Sequence, residues 1–190
     1  ILIATYEGKA IRFNEEKVRA MGRVSTGVRG VEIEEGNRVV GMACVEPGDG
    51  KDILVLSEKG YGKRTELDDY RVTNRGGKGV KTIQVTDKTG NLVALKAVTD
   101  ENDLMIINRS GLTIRTSVDQ IRVAGRATQG VRVINLREGD VIASVTAVPK
   151  NEVKCALPSV SQASFNSSSA ETARIGFVVC TNTPEASQKN

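Results

Sequence analysis

The chain has 190 residues, of which 39% are hydrophobic and 26% charged, so it can bury a core of its own; 3% aromatics and 19 glycines favour turn-rich β structure over a helix bundle. It has no histidine, which excludes an imidazole base or metal ligand, and its net charge of +4 only hints at an anionic partner. There is no apolar run of about 18 residues and no charged-then-apolar leader, so a soluble protein without membrane contact is expected. Beginning at Ile1 rather than Met, it reads as a piece of a longer protein. Cys44, Cys155 and Cys180 lack CxxC spacing and read as buried or free thiols of a reducing, cytoplasmic compartment.

In chain order, the first element is the apolar run ILIATYEG from Ile1, and it recurs as ILVLSEKG from Ile53 and LMIINRSG from Leu104. Their glycines, Gly8, Gly60 and Gly111, are 52 and 51 residues apart. A second marker keeps the same spacing: Arg23 precedes Gly27-Val28-Arg29, Arg75 precedes Gly79-Val80-Lys81, and Arg126 precedes Gly130-Val131-Arg132. A third, the EGN, TGN and EGD turns at Gly36, Gly90 and Gly139, holds with two extra residues in the middle copy. The chain therefore divides into copies at 1–52, 53–103 and 104–150. Self-similarity at such a period means stacked supersecondary units.

Within the second copy, strands are expected at 53–57, 63–65, 80–85 and 92–98, with turns at 58–62 and 87–91. About four short strands per unit of about 50 residues is the pattern of a propeller blade. Without tryptophan, neither the WD40 nor the usual kelch pattern fits. The expected fold is all-β, with about three propeller-like blades forming part of a domain. Residues 151–190 break the period; they carry seven serines and no net charge, and only Arg174–Thr181 looks like a strand, which could cap the last blade.

Charge placement points to phosphate. The copies carry net charges of −1, +1 and +4, yet cations recur in register. Arg12, Arg64 and Arg115 follow the first hairpin, with Lys63 beside Arg64. Arg23, Arg75 and Arg126 open the glycine-containing loop, and Arg29, Lys81 and Arg132 follow it. Units that each present cations at the same places would line a rim for a curved polyanion. The sharpest local motif is Arg75-Gly76-Gly77-Lys78-Gly79, whose glycines let backbone N–H groups approach a phosphate oxygen between two cations. It is not a Walker A loop, because Val80 stands where that motif needs lysine. A protein-binding scaffold that meets acidic partners is the reading from a different class.

Three stretches, GRVSTGVRGVEIEEGNRVV, EKGYGKRTELDDY and INRSGLTIRTSVDQIRVAGRATQGVRVI, give residues 1 to about 148 a resemblance to the family of DNA gyrase A C-terminal domains. The resemblance implies a β-pinwheel, a disc of about six four-stranded blades that exchange strands with their neighbours. It also implies that double-stranded DNA wraps the basic perimeter, and that the partners are the gyrase B protein and a second copy of the gyrase A protein in a bacterial type II topoisomerase. ATP and Mg would belong to that holoenzyme, with no cofactor in this chain. The family's QRRGGKG box is represented only by TNRGGKG at 73–79, without the leading Gln-Arg. The related topoisomerase IV domain carries a degenerate box, so decatenation is the alternative within the resemblance. Such enzymes cleave DNA with a tyrosine nucleophile and bound magnesium, but Tyr6, Tyr61 and Tyr70 fall in turns or blade edges with no arginine paired to them in the pattern, and a non-catalytic module is expected.

Overall fold

The computed structural model describes residues 1–150. The expected strand at Arg174–Thr181, together with Cys155 and Cys180, lies outside the described residues. Among the described residues, eleven strands run in order: β1 (Leu2–Thr5), β2 (Lys9–Arg12), β3 (Val39–Ala43), β4 (Asp52–Ser57), β5 (Tyr61–Thr65), β6 (Val80–Lys81), β7 (Leu92–Val98), β8 (Asn102–Asn108), β9 (Thr113–Ser117), β10 (Val131–Arg132) and β11 (Ile142–Pro149). One-turn 3-10 helices at Glu15–Lys17, Leu67–Asp69 and Val118–Gln120 follow the hairpins at equivalent places in the three copies.

The strands form antiparallel sheets in the orders β3-β1-β2-β6, β10-β5-β4-β7 and β11-β8-β9. Each copy supplies a hairpin and a third strand to its own sheet, but β6 of the second copy completes the first sheet and β10 of the third completes the second. The first copy contributes three strands, and its Val28-Arg29 is not in strand conformation. The strand exchange implied by the resemblance is therefore present, and the sheets do not coincide with the sequence repeats.

Burial explains why the blades stack. In β4, Ile53, Leu54, Val55 and Leu56 are all buried because both faces of the middle sheet are covered. Leu54 and Leu56 face the third blade with Leu104, Ile106 and Ile142; Ile53 and Val55 face the first with Leu2, Ala4 and Ala43. Each such side chain contributes roughly 1.5–3 kcal/mol on burial. Strands β3 and β11 both pack on β7, and a Cβ at Gly41 would come 3.1 Å from the Leu95 carbonyl. The strands β3, β7 and β11 are thus gathered on one side, which leaves the donated β6 and β10 at the opposite, outer edge of their sheets.

Two glycines make the donation sterically feasible. Gly79 and Gly130 precede β6 and β10 with φ of 75° and 80°. A Cβ there would sit 2.6 Å from the Ala10 carbonyl oxygen and 2.5 Å from that of Gly62. Only a residue without Cβ lets the incoming chain turn and pair at that distance.

Candidate nucleic-acid interface

The segment between the 3-10 helix and the donated strand carries the glycine-containing loop, and in the second and third copies it crosses the outer edge of the preceding blade. Residues 70–82 lie along β2, where Arg12 and Val72 form a parallel bridge; residues 121–133 lie along β5, with the matching bridge between Arg64 and Val123. Backbone bonds tie each crossing down, from Thr73 N–H to the Arg12 carbonyl and from Ala124 N–H to that of Arg64.

That crossing corrects part of the sequence reading. Arg12, Lys63 and Arg64 do not face solvent, because the next copy's loop covers them. Arg12 donates to the carbonyls of Leu67 and Tyr70, at 2.8 and 2.9 Å. Arg64 donates through Nε to the Ile121 carbonyl at 2.8 Å, bonds to Asp100, and has Asp52 at 3.5 Å. The Lys63 ammonium is fully buried and donates to the carbonyls of Gly125 and Arg126, both at 2.6 Å, and to the carbonyl and hydroxyl of Thr128, both at 3.1 Å. Burial pulls it down to about 8, with Asp69 opposing and Arg126 adding to the shift. These three cations satisfy the backbone of the crossing segment. Arg115, their counterpart in the third copy, has no described segment over it; it is exposed and pairs with Asp103 at 2.7 Å.

The second set of arginines also has a structural task. Arg75 donates from Nη1 to the Arg29 carbonyl at 3.1 Å and from Nε to that of Lys17 at 2.9 Å. Arg126 donates from Nη1 to the Lys81 carbonyl at 3.1 Å. Arg29 and Lys81 are equivalent positions, so each loop arginine clips the preceding loop at the residue that bears its outward cation. The backbone takes part: Gly76 N–H donates to Gly30 and Glu32 N–H to Gly77, so the N–H of Gly76 is engaged by a neighbour. Of the expected site residues, Arg23, Arg29, Lys78, Lys81 and Arg132 are exposed. Lys78 has Glu34 at 3.7 Å. Beside it lies a hollow of about 280 Å³ lined by Arg71, Asn74, Gly77, Lys78 and Gly79, with Ile11 below.

Arg71 belongs to a set that the sequence reading missed. Arg19, Arg71 and Arg122 are spaced by 52 and 51 residues, the repeat period itself, and all three are exposed. Their spacing could have revealed them, but they fall just before the glycine-containing marker. The tyrosines also need correction. Arg132 donates to the Tyr61 hydroxyl at 2.9 Å, and Arg38 lies 3.9 Å from the centre of the Tyr6 ring. Tyr70 is wholly buried, and its hydroxyl bonds to Thr82. Cys44 is exposed. No helix among the described residues is long and apolar enough to cross a membrane.

Known proteins share this architecture. The family model described as the DNA gyrase C-terminal domain, beta-propeller, matches residues 1–46, 51–99 and 102–149. The DNA gyrase A protein of Staphylococcus aureus (strain MRSA252) is 44% identical over 151 residues, which is 80% of this chain and 17% of that protein, so the chain spans about a sixth of the relative's length. A solved gyrase A C-terminal domain superposes with a TM-score of 0.66 at 26% identity, over 77% of this chain and 49% of that one. The C-terminal domain of a DNA topoisomerase IV superposes with a TM-score of 0.73 at 21% identity, over 78% and 46%. The three blades, the strands donated across the outer edge and the matched stretches agree, and the chain belongs to the DNA gyrase C-terminal domain, beta-propeller, family.

Proposed function

We propose that this chain binds and wraps double-stranded DNA for a gyrase holoenzyme, contributing no catalytic group itself. The observation that carries the reading is the recurrence of exposed cations along the outer edge: Arg19, Arg71 and Arg122 before each loop, and Arg29, Lys81 and Arg132 after it. They flank loops that offer neither an aromatic platform nor a recognition helix, so contact would be through phosphates and independent of sequence. Bending a site of 20–30 base pairs costs on the order of 1–6 kcal/mol, offset by the added phosphate contacts. Arg23, Arg75, Lys78 and Arg126 lie within the same loops and are assigned to holding and completing that surface. Arg115 is assigned to it as well, on exposure alone.

In the holoenzyme, the gyrase B protein, a second gyrase A protein, ATP and Mg would supply the reaction, and the wrapped segment would bias strand passage toward negative supercoils. The likeness in fold to a topoisomerase IV domain supports a second reading, decatenation, at the same surface. The test is plasmid topology with reconstituted holoenzyme carrying or lacking this segment. Loss of ATP-dependent supercoiling is expected without it. Unchanged supercoiling would reject wrapping in favour of a protein-binding scaffold, and loss of decatenation alone would favour the second reading.

A further inference from the structure

A second hollow, of about 340 Å³, opens between the β4–β5 turn and two connectors, the one that leads to β7 and the one that leads to β11. Lys59, Lys88, Arg132 and Arg137 line it around Tyr61, the Lys59 ammonium bonding to the Asp87 carbonyl. The Lys88 ammonium lies 5.5 Å and the Arg132 guanidinium 5.4 Å from the centre of the Tyr61 ring, and Arg132 also bonds to its hydroxyl. Two carboxylates border the hollow, Glu138 and Asp140, the latter held by Asn108, Ser110 and the Val141 N–H, against the four cations. The positive charge therefore exceeds what the local carboxylates balance.

The first blade provides an internal comparison. One repeat earlier, Glu7 stands for Lys59, Lys9 for Tyr61, Glu34 for Lys88, Lys81 for Arg132 and Thr86 for Arg137. There Lys9 is balanced, with Glu7 at 3.2 Å and Glu34 at 3.8 Å. The same scaffold thus holds a neutralised cluster at one blade and one with cations in excess at the next. Cations gathered in excess of their counter-charge repel one another, an arrangement that a bound anion relieves. The hollow sits on the outer edge, since β10, which carries Arg132, is the donated edge strand.

We propose that this hollow is a phosphate-binding site of the second blade, filled by a backbone phosphate of duplex DNA. The source of the phosphate rests on the DNA-wrapping reading; the site itself does not. Arg132 and then Lys88 hold the Tyr61 phenol below its ordinary value, so Tyr61 serves as a reporter. A phosphate that neutralises those cations raises it.

The experiment uses the full chain, a 40-base-pair duplex or inorganic pyrophosphate as probe, and the Lys59→Glu/Lys88→Glu variant, which imposes the charge pattern of the first blade on exposed positions. Phenolate absorbance is assigned to Tyr61 by its loss in Tyr61→Phe, and duplex affinity is measured against salt by anisotropy. Duplex is expected to shift the Tyr61 titration to higher pH in the wild type and not in the variant, whose log-log salt slope is shallower by about 0.9, one phosphate contact. If duplex binds without moving Tyr61 while pyrophosphate moves it, the site stands and its source is a free phosphate compound. If duplex does not bind at all while pyrophosphate moves Tyr61, the wrapping reading fails and the site survives. If neither probe moves Tyr61 and the slope is unchanged, the site is overturned.

Discussion

Lys63→Met replaces a buried ammonium with an apolar side chain of similar length, at the position where the other copies carry Ile11 and Ile114. Four donor contacts disappear, to the carbonyls of Gly125, Arg126 and Thr128 and to the Thr128 hydroxyl. Hydrogen bonds to a charged group contribute roughly 1.5–3 kcal/mol each, but the variant also avoids a desolvation cost of several kcal/mol. Gly125 and Thr128 are exposed, so their freed carbonyls regain water. The balance is an expected loss of about 2 kcal/mol, accompanied by faster amide exchange over 124–130, where the loop loses its anchor. The pH dependence is the sharper signature. Burial holds the folded-state value near 8 against an ordinary 10.5. Between those values the unfolded chain carries a proton that the folded chain has released, so raising the pH favours the folded state. Urea unfolding of wild type and variant, from neutral pH to about 10.5, is therefore expected to show the wild-type advantage growing above pH about 8. A variant as stable as wild type at neutral pH would show that the anchor contributes nothing net. An advantage that shrinks with rising pH would mean that the carbonyl cage favours the ammonium more than burial disfavours it, and would refute the reasoning.

Gly130→Ala is expected to cost about 3 kcal/mol in thermal unfolding, because φ is 80° and the new Cβ meets the Gly62 carbonyl oxygen at 2.5 Å; tolerance within about 0.5 kcal/mol would show that β10 can pair by another path. Arg126→Ala removes the bond to the Lys81 carbonyl and is expected to lower stability by about 1 kcal/mol. It should also speed amide exchange at Gln84, whose N–H donates to Thr128; unchanged exchange at Gln84 counts against the clip between loops. Changing Arg19, Arg71 and Arg122 together to Gln is expected to leave unfolding unchanged and make the salt slope of duplex binding shallower by about 2.7, one phosphate contact for each arginine. A change in affinity without a change in slope would assign these residues to something other than phosphate.

The hairpin at 53–65 was legible because the apolar run before Gly60 and the turn around it are local features, and β4 and β5 form there. The expected strand at 80–85 was mostly too long: only Val80-Lys81 pairs, since Thr82 and Ile83 turn to donate to the Gly8 carbonyl. The family was legible because long stretches carry it. The fate of the recurring cations was not. Arg12 and Arg19 look alike in the sequence, each charged and in register, yet one is covered by a segment 55 residues away and the other is exposed.

The sequence by itself determined the period, the all-β character, the glycines at which the chain turns and the family. Those depend on local sterics and on self-similarity within one chain. Only the tertiary structure decided which cations face outward, because that depends on where the next copy crosses. Strand donation lays 121–133 over Lys63 and Arg64, whose charges are then met by backbone carbonyls and, at Arg64, also by Asp52 and Asp100, and it leaves Arg122 and Arg132 exposed on the segment that does the covering. A buried cation must find acceptors, whereas an exposed one can wait for a partner, and long-range packing sorts the two.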